Sequence, residues 1–233
     1  MLGLKEELGA GFCIVNGENV ADGAGITPKL AEKLLAAGAD VITLGNHVWR
    51  RREIGPYLEN SDRVIRPANL AVGSPGRALA VVPPVAVLNL QGILFMTTPV
   101  SPFEVLDDLV EQARAKAKIV VVDFHAEATS EKVAVARLLD GRVTAVIGTH
   151  THVQTSDARV QPGGTAAITD AGMTGPHDSV IGVKAELAIS RMRTGMSVRF
   201  EPAAGGVRIE GVVVECDDEG RALSCEALRV PVP

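Results

Sequence analysis

The segment "VIGTHTHVQT", residues 146–155, runs from apolar residues into two histidines one position apart, His150 and His152. Imidazoles bind metal ions and carry protons near neutral pH. Successive side chains alternate across a strand, so positions i and i+2 point the same way. An extended chain here would present both rings on one side, where the chain leaves a sheet. That suits two metal ligands, or a ligand and a proton carrier. Two solvated loop histidines are the alternative for this stretch alone.

The same junction of apolar run and polar turn recurs. Residues 11–15 lead into "NGEN" (16–19), 40–44 into "GNH" (45–47), 118–122 into "DFHAE" (123–127) and 165–169 into "DAGMTGP" (170–176). Four of the five histidines lie at such ends. Singly, Asn19 or Asn46 reads as a turn residue, His125 as a hydrogen-bonded core histidine, and Asp123 and Glu127 as supporting or capping groups. Together, Glu, Asn and His at converging strand ends form a mixed oxygen and nitrogen shell. Such a shell suits Mn²⁺, Fe²⁺ or Zn²⁺ better than Ca²⁺ or Mg²⁺, and without Cys it is no thiolate site.

The elements that must position these residues alternate along the chain. Val- and Ile-rich runs at 11–15, 40–44, 63–67, 85–90, 118–124, 143–148 and 165–169 have the pattern of strands buried on both faces. Helical patterns lie between them. Thr27 can cap a helix that has Pro28 at its first position, Leu30, Leu34 and Leu35 on one face and Gly38 at its stop. Thr129 or Ser130 opens another, with Val133, Ala136 and Leu139 inward and Gly141 at its end. From "SVRF" at 197 to "VVVEC" at 216 the pattern changes to antiparallel strands joined by the turn "AAGG". The fold class is α/β, mixed rather than purely parallel, in one domain over 1–233, and ligands are expected at the carboxyl ends of the strands.

Composition narrows the function classes. Of 233 residues, 46% are hydrophobic, enough for a large core, while only 3% are aromatic, so the core must be aliphatic. A formal charge of −5 argues against a general surface for double-stranded nucleic acid. Cys13, Cys216 and Cys225 form no C-x-x-C and fit free thiols in a reducing cytoplasm. No segment has the length of a membrane span or the form of a signal peptide.

The order Glu, Asn-His, His, His-x-His resembles the calcineurin-like metallophosphoesterase superfamily. The motifs "NGEN", "GNH.W", "RPAN", "NLQG", "DFHAEATSEK", "GTHTHVQT" and "TDAGMTGPHDS" resemble one branch more closely, the YmdB-type bacterial phosphodiesterases, along nearly the whole chain. The resemblance implies a four-layer α/β sandwich of two mixed sheets flanked by helices. It also implies two divalent transition metals, Fe or Mn first and Zn after them, and hydrolysis of 2′,3′-cyclic nucleotides or related small phosphodiesters. Carried over by motif, Glu18 would bridge the metals and Asn19 and His152 would serve the first. Asn46, His125 and His150 would serve the second, and His47 would be the proton donor. Two cations about 3.5–4 Å apart would share the phosphate oxygens and deliver a bridging hydroxide in line. Arg66, Asn69 and Thr174 are candidates to face the substrate. Arg50–Arg52 reads as a solvated helix face, His177 as a supporting residue and Trp49 as packing.

Members of that branch open with a strand ending in "GD", whose aspartate binds the first metal. Here "MLGLKEELGA" matches only the tail of the helix that follows. The expected fold therefore lacks its first strand, and the expected site binds about one metal tightly. Asp123 and Asp170 are the carboxylates that could stand in. A non-catalytic metal- or nucleotide-binding regulator, or an inactive fragment, is the alternative function. Homo-oligomerisation is left open. An amidohydrolase barrel, which also uses His-x-His, is disfavoured because it places that motif early and needs roughly 250 residues.

Overall fold

The computed structural model describes residues 2–232. In chain order the elements are α1 (Leu2–Glu7), β1 (Ile14–Asn16), α2 (Pro28–Ala36), β2 (Val41–Thr43), a 3-10 turn (Val48–Arg50), α3 (Ile54–Asn60), β3 (Val64–Ile65), β4 (Leu79–Val82), β5 (Val85–Gln91), α4 (Pro102–Arg114), β6 (Ile119–His125), α5 (Thr129–Leu138), β7 (Ala145–Thr149), β8 (Arg159–Val160), β9 (Ala166–Ile168), β10 (Gly175–Pro176), α6 (Ala185–Thr194), β11 (Val207–Cys216) and β12 (Ala222–Pro231). The helix after Thr27 starts as the sequence predicts: Thr27 Oγ1 accepts from Leu30 N–H at 3.3 Å, and Pro28 follows the cap. It stops at Gly38, whose φ of 108° is open to glycine at little cost.

The largest sheet has the order β4-β5-β6-β7-β9-β8. Its centre, β5-β6-β7-β9, is parallel, and β4 and β8 run antiparallel at its edges. Strand alternation sorts β6 cleanly. Val120, Val122 and Phe124 face a core built with Leu106 and Val110 of α4 and Val135 of α5. Ile119 and Val121 face the other way, against Ile14, Val41 and Ile65 of the parallel sheet β1-β2-β3. The outer face of that small sheet carries Ile42 and packs on Leu30 and Leu34 of α2 and Ile54 and Leu58 of α3. Layers of helix, sheet, sheet and helix result.

The layer opposite the large sheet is divided. Val121 also belongs to a contact cluster with Val214 of β11 and Ala222 and Cys225 of β12, so this hairpin shares the face used by β1-β2-β3. The hairpin and β10 form a third sheet. This corrects the reading of 197–216 as a hairpin. Residues 197–201 are not strand, and β11 pairs with β12 across the turn at 217–221 and with β10 on its other edge. "SVRF" has the alternation of a strand, but β11 takes β12 along one edge and β10 at Val207 and Arg208 on the other. Among the described residues no helix is long and apolar enough to cross a membrane. The three cysteines are unpaired.

Phe124 is fully buried in the helical core behind β6. Phe124→Ala should cost about 3–5 kcal/mol of unfolding free energy. Urea titration measures this; a loss below about 1 kcal/mol would mean that α4 and α5 close over the cavity.

Candidate metal centre

The alternation that sorts β6 continues past its apolar part. Asp123 and His125 follow Val121 on the face turned to the small sheet. On the opposing strands, Asn16 follows Ile14 and Thr43 follows Val41, so both face inward. Asp123 therefore meets them between the sheets. Its Oδ2 accepts from Asn16 Nδ2 at 3.0 Å and from the Thr43 hydroxyl, and its Oδ1 accepts from Thr149 Oγ1 at 2.7 Å. Burial pushes the Asp123 carboxyl above its usual range, against the opposing pull of His125 and these three donors. Because Thr149 gives its proton to Asp123, its oxygen is free to accept from His125 Nδ1, 3.0 Å away. That hydrogen bond fixes the ring, turning Nε2 into the site.

Around His125 Nε2 the other donor atoms converge: Asn46 Oδ1 at 2.9 Å, His150 Nδ1 at 3.1 Å and Glu18 Oε2 at 3.2 Å. Glu18 and His125 are 2% and 1% exposed, respectively. Glu18, His125 and His150 each offer a ligand atom within 4.8 Å of the others. Burial alone would raise the Glu18 carboxyl, but His125 and then His47 outweigh it and hold it at about 2. Its Oε1 is buried without a hydrogen-bond partner. Burial, then the neighbouring His125, lower the pKa of His150, which favours the neutral ring a metal requires. Gly45 closes the floor. A Cβ there would overlap Glu18 Oε2 and His125 Nε2. An ionised buried carboxylate with an orphan oxygen, two imidazole nitrogens, an amide oxygen and a floor without a side chain fit a divalent cation.

A second group adjoins the first. His47 N–H donates to Glu18 Oε2 at 3.2 Å, and His47 Nδ1 lies 2.7 Å from Asn19 Oδ1 and 3.4 Å from Glu18 Oε1. Asn19 Nδ2 lies 3.1 Å from His152 Nε2, whose ring is held from behind by its Nδ1 donating to Ile181 O at 3.2 Å. Asn19 thus links His47 to His152. Burial lowers the pKa of His47, while Glu18 opposes this.

The predicted site residues divide into two sets. Glu18, Asn19, Asn46, His47, His125, His150 and His152 are brought together. Arg66 and Asn69, the candidates to face the substrate, have their side chains engaged within the fold. The Arg66 guanidinium donates to the carbonyls of Pro67, Ala68, Ser74 and Pro75. Asn69 is buried and bonded to Gln91 and Val100. Thr174 Oγ1 donates to Glu210 O of β11. Asp123 and Asp170 are held by other donors, so neither stands in as a ligand. The strand explanation of His-x-His also needs correction. β7 ends at Thr149, and His150 and His152 have φ of 103° and 66°. Left-handed backbone, not strand alternation, aims the two rings. Arg51 ties down the loop after Glu18 by donating to Ala21 O at 2.9 Å, and Trp49 is 40% exposed rather than packed.

Residues 1–228 match the family described as YmdB-like protein. The chain is 45% identical over 232 residues to a Bacillus subtilis (strain 168) protein named 2′,3′-cyclic-nucleotide 2′-phosphodiesterase, covering 97% of this chain and 88% of that one. Two crystal structures are also similar. A hypothetical protein from Thermus thermophilus superposes with a TM-score of 0.89 at 40% identity, over 95% of this chain and 88% of its own. A protein described as a novel phosphatase from Mycoplasma pneumoniae gives 0.89 at 36% identity, over 99% and 85%.

Gly45→Ala puts a methyl group where the ligand atoms converge. It should weaken Mn²⁺ binding by at least the roughly 10–100-fold that losing a supporting contact costs a metal site. Calorimetric titration of chelator-stripped protein measures this, and equal affinity would show that the cation sits elsewhere.

Proposed function

The chain belongs to the YmdB-like family, and from that membership and the site geometry we propose that it is a metal-dependent phosphodiesterase acting on 2′,3′-cyclic nucleotides or related small phosphodiesters. The observation that carries this reading is the convergence of Glu18, Asn46, His125 and His150, with the orphan Glu18 Oε1 beside His47.

Glu18, Asn46, His125 and His150 would hold one divalent cation. Glu18 through its other oxygen, with His152 and Asn19, would hold a second. The oxygen and nitrogen donor set favours Mn²⁺, Fe²⁺ or Zn²⁺. When bound, such ions supply Lewis acidity to the phosphoryl oxygens and to an attacking water. The first group has four donors around one point and the second relies on neutral groups and a shared carboxylate. Binding of the two ions should therefore be sequential, the first tighter.

The protein's own contribution beyond holding charge is a proton. A phosphodiester leaves behind an alkoxide, a poor leaving group unless it is protonated as the bond breaks. His47 Nδ1–H points at Asn19 Oδ1, which leaves Nε2 as the atom free to exchange a proton with substrate. To act as an acid the ring must be an imidazolium. Glu18 favours that form and burial disfavours it, with burial the larger, so the free enzyme's His47 titrates below its usual 6.5. The protonated form is present below that pKa and lost as pH rises through it.

Chelator treatment should abolish hydrolysis of 2′,3′-cyclic AMP, and Mn²⁺ should restore it; chelator-resistant turnover would refute the metal reading. His47→Ala should cut turnover by about 10²–10⁴-fold while Mn²⁺ affinity stays near that of the wild type. The wild-type kcat/KM should decline with rising pH on the limb set by His47, and the variant should lack that limb. A variant with wild-type turnover would remove His47 from the chemistry.

A further inference from the structure

His150 and His152 both occupy the left-handed backbone region, which L-residues with a Cβ adopt only when their surroundings enforce it. Glycine could relieve the strain, but glycine has no imidazole. Something else must hold this turn. Thr151, between the two histidines, is gripped at two points: its N–H and its Oγ1 donate to Asp170 Oδ2, at 3.0 and 2.8 Å. The same oxygen accepts from Lys132 Nζ at 2.8 Å, and Asp170 Oδ1 accepts from Gly172 N–H at 3.0 Å. Asp170 and Lys132 are 1% and 3% exposed, respectively.

A buried ion pair is a poor way to gain stability, because both charges lose their water. Its position argues for a local task. Lys132 lies in the first turn of α5 and Asp170 just past the end of β9, so the pair fixes a point between two rigid elements beneath the His-x-His turn. The main chain of Asp170 is fixed as well, its N–H donating to Thr155 Oγ1 at 2.9 Å and its carbonyl accepting from Thr155 N–H at 3.1 Å. Gly148 lets the strands close at this point, since a Cβ there would overlap Thr169 O.

We propose that Thr151, Asp170 and Lys132 form a clamp that holds the backbone of His150 and His152 in the strained geometry needed to bind metal. They are positioning residues, touching neither substrate nor cation. This rests on the metal reading above and adds the device that presets its ligands.

The test uses the 233-residue protein, stripped of metal by chelator and titrated with Mn²⁺ alone. Thr151→Val keeps the shape and removes the hydroxyl. It should weaken Mn²⁺ affinity by about 10–100-fold, the usual effect of losing a contact behind a ligand. The midpoint of thermal unfolding of the metal-free protein should stay near that of the wild type. Thr151→Ser restores the hydroxyl and should recover the affinity, and Thr151→Ala serves as a second truncation should the valine variant not fold. Metal-free Thr151→Val should also exchange the amide hydrogens of 150–152 faster than the wild type. If the wild type and all variants bind Mn²⁺ equally, the clamp is overturned and the metal reading stands. A lowered melting temperature with unchanged affinity would likewise reduce the clamp to a fold contact. A wild type that takes up no Mn²⁺ would overturn the metal reading, and the clamp's purpose with it.

Discussion

A carboxylate sealed between two sheets has to be hydrogen-bonded on several sides, because water cannot reach it. Asp123 meets that demand with one donor from each of three other strands: Asn16 of β1, Thr43 of β2 and Thr149 of β7. The requirement works in both directions. Asp123 is satisfied only when the small sheet lies in one register over the large one. In that register Glu18, just past β1, and Asn46, just past β2, come over His125. The apolar contacts between the sheets are non-directional and would tolerate a slide; the carboxylate does not. Through Thr149 the same residue also orients the His125 ring, so packing and ligand geometry share one group.

Helix α5 extends this economy to the loops. Its first turn buries two charged side chains instead of the apolar residues expected there. Glu131 accepts from the backbone N–H groups of Ile93 and Leu94, fixing the loop after β5, and Lys132 reaches Asp170 under the histidine turn. Gly92 makes room for the first contact, since a Cβ there would overlap Glu131 Oε2. Loops beside a site are ordinarily the least stable part of a fold. Here two of them are fastened to one helix end by charge-assisted hydrogen bonds.

Much of this was legible in the sequence, and the failures share a cause. Apolar runs ending in polar clusters located the strands and the face that carries the site, because burial on both sides leaves a compositional mark. Thr27 and Gly38 bounded α2 because caps are local chemistry. Side-chain direction was legible only where the backbone stays regular. His150 and His152 leave the strand, so periodicity could not say how they are aimed. For Arg66, a candidate to face the substrate, the sequence does not reveal the four carbonyls that converge on it. The burial of Lys132 and Glu131 left no mark in the sequence, because a charged residue is usually outside and their partners lie 37 and 38 residues away. One signal was available: Asp123 precedes His125 by two, the spacing that puts both on one face of a strand.

The glycine floor has a consequence for how such a protein can diverge. Gly45 lies against the ligand atoms, and Gly148 against the main chain beside it, so a side chain at the first position displaces a ligand and one at the second pushes the chain apart. Substitution there is costly to the site or the fold, even toward alanine. The protein-built walls are no freer, since Asp123, Asp170 and Glu131 each hold more than one partner and Lys132 is buried against Asp170. What remains open to drift is the rim, where the side chains of Trp49 and Val153, next to the segments that carry His47 and His152, stand exposed. Inherited variation can reshape what the centre admits more readily than the centre itself, so relatives built on this floor would differ in selectivity before they differ in chemistry.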